Sequence, residues 1–337
     1  MTSKDDASGP RRTPETERHL GRGWAVAGSA AAALAGTALF NLRSARQAEA
    51  ETPPEGSFIE VDGVRLHLVD RGTGDAVVLL HGNAVTLQDF AASGVSALAA
   101  EHHRVLAFDR PGFGYSDRPR TTLWTPKAQA RLIVDALARI GVERACVVGH
   151  SWGAMVALAM AIEAPDLVTG LVLMSGYYYP TARPDVVFGS GPAIPILGDL
   201  AAWTVSPIAG RLVGPLAVKA SFSPAPVSSD FDRFPAGLSL RPSQIRAASA
   251  DTAMMVPAAA ELSRHYRQLR VPTIIMAGQG DRIAHVDKHA ERLAREIPDA
   301  ELRIVPGQGH MFHYAVTEQV VAAIDDVSRN RSIPDSA

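Results

Sequence analysis

The sequence predicts an α/β domain: a mostly parallel central sheet, helices on both faces, and a helical cap inserted after the sixth strand. Three observations predict it. Short apolar runs alternate with longer helix-like segments on short connections, the pattern of parallel strands joined by crossover helices. One of those runs leads into Gly149-His150-Ser151-Trp152-Gly153, a Gly-x-Ser-x-Gly pentapeptide at a strand-to-helix junction. From Tyr177 to about Arg264 the alternation stops, and a block dense in proline and glycine with short helix-like pieces replaces it.

A chain of 337 residues, 47% of them hydrophobic, can build one large domain with an insertion or at most two domains. Its net charge of −2 leaves no basic stripe, which argues against a nucleic-acid partner. Cys146 is the one cysteine, so no intrachain disulfide exists, and its apolar strand makes it a buried core residue. The histidines are scattered without metal-ligand spacing. Gly112-Phe113-Gly114 lacks the third glycine and helix start of a dinucleotide loop. No metal or organic cofactor is expected.

Residues 1–22 are polar and mixed in charge, and residues 23–42 carry no charge at all. That run is about 20 residues long, near the length of a membrane span, but mostly alanine and glycine, so its transfer energy is marginal. An uncleaved anchor is the preferred reading, with the catalytic domain outside the cytoplasm because basic residues cluster ahead of the run. A cleaved export signal is the second reading, with Ala48-Glu49-Ala50 as a small-x-small site. Arg11-Arg12 invites a twin-arginine signal, but the following Thr-Pro-Glu does not suit one. A helix packed on the domain is disfavoured, since no polar face interrupts the run. Residues 43–57, with Pro53-Pro54, read as a linker.

The core is expected over 58–176 and 265–330, with the cap over 177–264. Phe58 to Val61 and Val64 to Asp70 flank Asp62-Gly63, a two-residue hairpin signal. Ala76 to Leu80 is a strand ending in His81-Gly82-Asn83, Gln88 to Ala100 is helix-like, and Arg104 to Phe108 is the next strand. Thr125-Pro126 supplies an N-cap and a first-turn proline for a helix that stops at Gly141. The apolar Cys146-Val147-Val148, the helix Ala154 to Ala164 and the strand Gly170 to Met174 follow. Order resumes after the cap with strand Thr273 to Ala277, helix Lys288 to Glu296, strand Glu301 to Val305 and a last helix near Glu318 to Ser328.

A serine hydroxyl needs a base and nearby donors for a developing oxyanion. A sharp turn from strand to helix supplies the presentation, with small neighbours where backbones come close. Gly149-His150-Ser151-Trp152-Gly153, His81-Gly82-Asn83 and Asp109-Arg110-Pro111-Gly112-Phe113-Gly114-Tyr115-Ser116 together resemble the α/β-hydrolase family, in its capped esterase, epoxide-hydrolase and dehalogenase-like branch. The resemblance covers Phe58 to about Ser328, with the cap aligned only by position.

The resemblance implies a triad in the order Ser151, Asp281, His310. Ser151 would be the nucleophile, in a position where epoxide hydrolases and dehalogenases carry aspartate; serine there points to acyl chemistry. His310, in Gly307-Gln308-Gly309-His310, would be the base, with His313 as rival. Asp281, in Gly278-Gln279-Gly280-Asp281, would orient it, with Asp287 as a weaker candidate that more simply caps the next helix. The oxyanion donors would be the backbone N–H groups of Asn83 and Trp152. Trp152, Tyr177, Phe222, Met254 and Met255 are the candidates for a substrate pocket, against the plainer reading of core packing. His285 and His289 are expected on a solvated surface, and Arg110 in a supporting loop without chemistry.

The expected protein is thus a serine hydrolase that acts on a small-molecule carboxylic ester or related acyl compound through an acyl-enzyme. Hydrolysis of a C–C bond in a vinylogous keto acid and a cofactor-free haloperoxidase or perhydrolase activity use the same residues. A ligand receptor on the same fold is the non-enzyme alternative, and it has no need of an intact triad.

Overall fold

The computed structural model describes residues 14–181, 186 and 189–329, apart from the side chains of residues 14–27. Arg11-Arg12, most of the expected polar segment, and residues 182–185 and 187–188 of the cap lie outside the described residues. The core begins with β1 (Ser57–Val61), β2 (Val64–Arg71), β3 (Ala76–Leu80), α2 (Gln88–Ala92), α3 (Val95–Ala99) and β4 (Arg104–Phe108). It continues with α4 (Pro126–Arg139), β5 (Ala145–His150), α5 (Trp152–Glu163) and β6 (Val168–Met174). The cap then supplies α6 (Leu197–Trp203), α7 (Val205–Phe222), α8 (Ala236–Ser239) and α9 (Pro242–Leu262). The chain returns to the core through β7 (Thr273–Gly278), α10 (Ala290–Glu296), β8 (Glu301–Val305) and α11 (Thr317–Arg329).

The eight strands form one sheet in the order β1-β2-β4-β3-β5-β6-β7-β8. The β1–β2 and β2–β4 pairs are antiparallel, and every pair from β4 to β8 is parallel. The expected architecture, cap included, is the observed one. The strands are apolar on both sides because the sheet is covered on both sides. Val78, Leu80, Val147 and Leu171 pack into a core with α4 and α5, whereas Val77, Leu79, Cys146, Val148 and Val172 pack into a second core with α3 and α11. The period-2 alternation of a strand sorts adjacent residues to opposite layers.

Local chemistry sets the element boundaries. Asp62 and Gly63 both take positive φ, 50° and 75°, which is the two-residue turn that matches strand twist. Thr125 accepts the Ala128 N–H at 3.2 Å as the N-cap of α4, ahead of Pro126. The single helix expected over Gln88 to Ala100 is two helices, because Gly94 turns left-handed at φ 82° between them.

The expectation of a membrane anchor is corrected. Among the described residues no helix is long and apolar enough to cross a membrane. The segment is instead part of α1, which runs from Pro14 to Glu51 and absorbs most of the expected linker. Alanine and glycine give the run little transfer energy, and the helix continues through Arg43, Arg46 and Glu49 onto the cap. Asn41 is buried there, donating to the Trp203 and Thr204 carbonyls at 3.0 and 2.6 Å. Glu49 pairs with Arg241 at 2.8 Å, and the Tyr115 hydroxyl donates to the Thr52 carbonyl. The structure supports neither the anchor nor the extracytoplasmic placement built on it, and residues 41–51 are a helix packed on the cap.

Asn41→Ala leaves two carbonyls without their donor and is expected to cost about 1–3 kcal/mol. Amide exchange should accelerate across 38–51 of α1. Exchange identical to wild type in that stretch would show that the helix does not rest on this contact.

Candidate active site

Ser151 sits between the end of β5 and the first turn of α5 with φ 54° and ψ −114°, a backbone conformation costly for a residue with a Cβ. Two glycines make that turn possible. A methyl on Gly149 would strike the Gly153 carbonyl, and one on Gly153 would strike the Leu80 carbonyl at the end of β3. The Ser151 N–H donates to the Met174 carbonyl at 2.8 Å, tying the turn to the end of β6. The Trp152 N–H lies in the first turn of α5, where no intrahelical acceptor exists.

Asp281 follows β7 and His310 follows β8, and the structure brings them together: His310 Nδ1 lies 2.8 Å from Asp281 Oδ2. The other carboxylate oxygen accepts the N–H groups of Ile283 and Ala284 at 2.8 and 2.9 Å. Burial disfavours the charge, but His310 and these two donors outweigh it and hold the Asp281 carboxyl below its usual range. The His310 loop reaches the serine turn through His150, whose Nε2 donates to the His310 carbonyl at 3.1 Å. The His81-Gly82-Asn83 loop closes the third side: a Cβ on Gly82 would lie 3.3 Å from the Ser151 Cβ.

The rival histidine is placed elsewhere. His313 is fully buried in the turn before α11, and its Nε2 donates to Asp89 at 3.1 Å. Tyr314 donates to the other Asp89 oxygen at 2.8 Å, and the two bonds help hold this buried carboxyl below its usual value against the larger opposing effect of burial. Burial and the nearby His313 and His310 rings push the His150 imidazole down to about 3, so it stays neutral. Asp89 and His313 are thus hydrogen-bonded to each other, while the pentapeptide's His150 packs on the His313 ring, 4.6 Å between centroids, and hydrogen-bonds to the His310 loop. Asp89 is one acid in a short amphipathic segment, and only its burial distinguishes it.

The other expectations divide. His81 is buried in the loop after β3, with Nδ1 donating to the Gly82 carbonyl at 2.8 Å and Nε2 accepting the Arg110 N–H at 3.0 Å. His285 is exposed, but His289 is not: it accepts the N–H groups of Tyr178 and Tyr179 at 3.1 and 3.3 Å. That corrects its surface placement; the ring packs on Tyr177 where the chain leaves the core. His289 also precedes α10, the place expected for Asp287. Trp152 is buried, and its indole N–H has no partner among the described residues.

Of the pocket candidates, Trp152 and Tyr177 lie in the main core with Met254 and Met255 packed against it, and Phe222 lies outside that core. A cleft of about 860 Å³ opens between the loop after β4 and α9, with Met254, Leu123, Trp124 and Arg118 in its wall. Phe222 belongs to a separate cluster with Phe234, Met311 and Tyr314 beside the His310 loop.

The alpha/beta hydrolase fold family profile matches residues 75–315, which is more than half of the chain. The chain belongs to that family. The hydrolase is 27% identical over 278 residues to a 2-hydroxy-6-oxo-2,4-heptadienoate hydrolase of Pseudomonas putida, covering 80% of this chain and 95% of the relative. Among solved structures it is similar to an esterase of Thermogutta terrifontis, with a TM-score of 0.67 and 21% identity over 82% of this chain and 100% of the other. A meta-cleavage product hydrolase of Pseudomonas fluorescens superposes with a TM-score of 0.65 at 22% identity, over 82% of this chain and 98% of the other. At these identities the structural likenesses establish the hydrolase's fold and leave its substrate open.

The depressed Asp281 carboxyl gives the hydrolase a pH signature. A folded-state value below the unfolded one adds stability above the ordinary carboxyl range, near ~4. That stability is lost as pH falls through the lower folded value. Asp281→Asn should therefore be less stable than wild type at neutral pH, with the gap closing below about pH 4. A gap constant from pH 7 to pH 3 in chemical denaturation would show that Asp281 carries no such charge.

Proposed function

We propose that this protein is a serine hydrolase cleaving a carboxylic ester or related acyl substrate through an acyl-enzyme. The observation that carries the reading is the His310–Asp281 hydrogen bond, set beside a serine in a strained turn. Ser151 Oγ attacks the acyl carbonyl carbon while its proton passes to His310 Nε2. Asp281 accepts the Nδ1–H and stabilises the imidazolium that forms. The N–H groups of Asn83 and Trp152 hold the tetrahedral oxyanion. Collapse breaks the ester C–O bond, and His310 returns the proton to the departing alcohol. Water then attacks the acyl-enzyme, giving its proton to His310, and the second collapse releases the acid and restores Ser151. The cap over 177–264 would shape the acyl pocket, with Met254 in its wall.

A second reading rests on the 2-hydroxy-6-oxo-2,4-heptadienoate hydrolase, whose length this chain nearly spans. In it the same residues direct water to the keto carbon of a vinylogous keto acid, and the bond that breaks is C–C, with an enolate as leaving group. Turnover of short, medium and long acyl esters beside one such keto acid separates the two.

A fluorophosphonate should label wild type at Ser151 and leave Ser151→Ala unlabelled. A folded wild type that takes no label would instead match the receptor reading. His310→Ala should lower kcat by roughly 10⁴-fold or more, and His313→Ala by far less. The opposite order would move the base to His313.

A further inference from the structure

Arg110 is fully buried, and its guanidinium makes four hydrogen bonds. Nε donates to the His81 carbonyl and Nη2 to the Gly82 carbonyl, both at 2.9 Å. Nη1 donates to Gln129 Oε1 at 2.8 Å and to Asp251 Oδ2 at 2.7 Å. Asp251 is also fully buried and stands on the cap helix α9, where its second oxygen accepts Arg118 at 2.9 Å and Gln129 at 3.3 Å. The guanidinium lies over the Phe113 ring, 4.4 Å from the centroid. Burial presses Arg110 toward its neutral form, and Asp251 opposes that pressure.

The two carbonyls belong to the oxyanion loop. A trans peptide is planar, so the Gly82 C=O and the Asn83 N–H lie in one plane and point in opposite directions. Whatever fixes the Gly82 oxygen also aims the Asn83 N–H. That oxygen takes two donors, Arg110 Nη2 and His81 Nδ1, and one of them is charged. A cation at the carbonyl also draws electron density from the amide and strengthens its N–H as a donor. The cap holds the same residue a second time: Asn83 Nδ2 donates to the Ala248 carbonyl and to Thr252 Oγ1 on α9, at 3.0 and 2.9 Å.

We propose that Arg110 is the positioning residue for the Asn83 oxyanion donor, and that Asp251 is the cap-borne counter-ion that keeps it in place. This rests on the serine-hydrolase reading. Through the pair, the cap helix takes part in transition-state stabilisation without touching the reacting atoms. The effect should fall on kcat, because the Asn83 N–H bonds most strongly to an oxygen that carries charge only in the transition state.

Two variants test it. Arg110→Lys keeps the charge but cannot span both carbonyls, and Asp251→Asn keeps the shape but removes the counter-ion. With an ester that wild type turns over, each should lower kcat roughly 10–1,000-fold while KM moves less than about threefold. Affinity for a trifluoromethyl ketone, which forms a tetrahedral adduct on serine, should fall in step with kcat. If Arg110→Lys does not fold, Asp251→Asn decides alone. Wild-type kcat in the folded variant, or losses in which KM rises as much as kcat falls while ketone affinity is unchanged, would overturn the proposal. A folded wild type that takes no fluorophosphonate would overturn the serine-hydrolase reading, and this proposal with it. Labelled wild type beside unimpaired variants would overturn this proposal only.

Discussion

The start of α5 lies against the carboxyl ends of β3 and β5, so near that a single methyl on Gly153 would collide with the Leu80 carbonyl. The rest of the site depends on that approach. It forces the chain to reverse within one residue after β5, which places Ser151 in its strained backbone conformation. It also sets the His81-Gly82-Asn83 loop against the serine, because the loop begins right after the last residue of β3. The parallel register supports the same geometry: Leu80 pairs with Gly149, and His150 with Met174, so three strand ends finish at one level. Ligand sites collect at such carboxyl edges in open α/β sheets.

Around that edge the protein buries several carboxylates, and each is paid for by named donors. Asp281 has His310 and two backbone N–H groups. Asp89 has His313 and Tyr314. Asp109 accepts His67 at 2.7 Å and the N–H groups of Leu87 and Tyr115 at 3.0 Å. Asp251 has Arg110, Arg118 and Gln129. Buried charge of this kind is costly to strip of any one partner. Each of the four ties together segments that are separate in sequence, so the polar groups specify where the loops stand while the two apolar cores stabilise the sheet behind them.

The cap is held to the core unevenly. Helix α9 enters the polar network through Asp251 and meets Asn83 through Ala248 and Thr252. Helix α7 leaves Leu212, Val213 and Leu216 exposed. The end of α1 docks on the cap through Asn41, at the junction of α6 and α7, and through Glu49 on Arg241 ahead of α9. The cap thus reaches the carboxyl edge of the sheet through buried charge on α9 and the His310 loop through the end of α7, where the Met311 N–H donates to the Ser221 carbonyl at 3.2 Å.

Periodicity and turn chemistry were enough for the strands, the Asp62-Gly63 hairpin and the α4 cap, because each rests on neighbours in sequence. Family resemblance supplied Ser151, Asp281 and His310 as candidates by position. Sequence did not separate His289 from a surface histidine, or mark Asp89 and Asp251 as buried, since one acid in an apolar stretch reads the same whether it faces solvent or an arginine. It also favoured a membrane span for a charge-free run that the tertiary structure shows as part of a long helix docking on the cap. What the chain alone determined was local: where backbone can turn, pair or coil. The distances from α9 to Arg110 and from His313 to Asp89 were decided only by the packed fold, because they join residues more than a hundred positions apart.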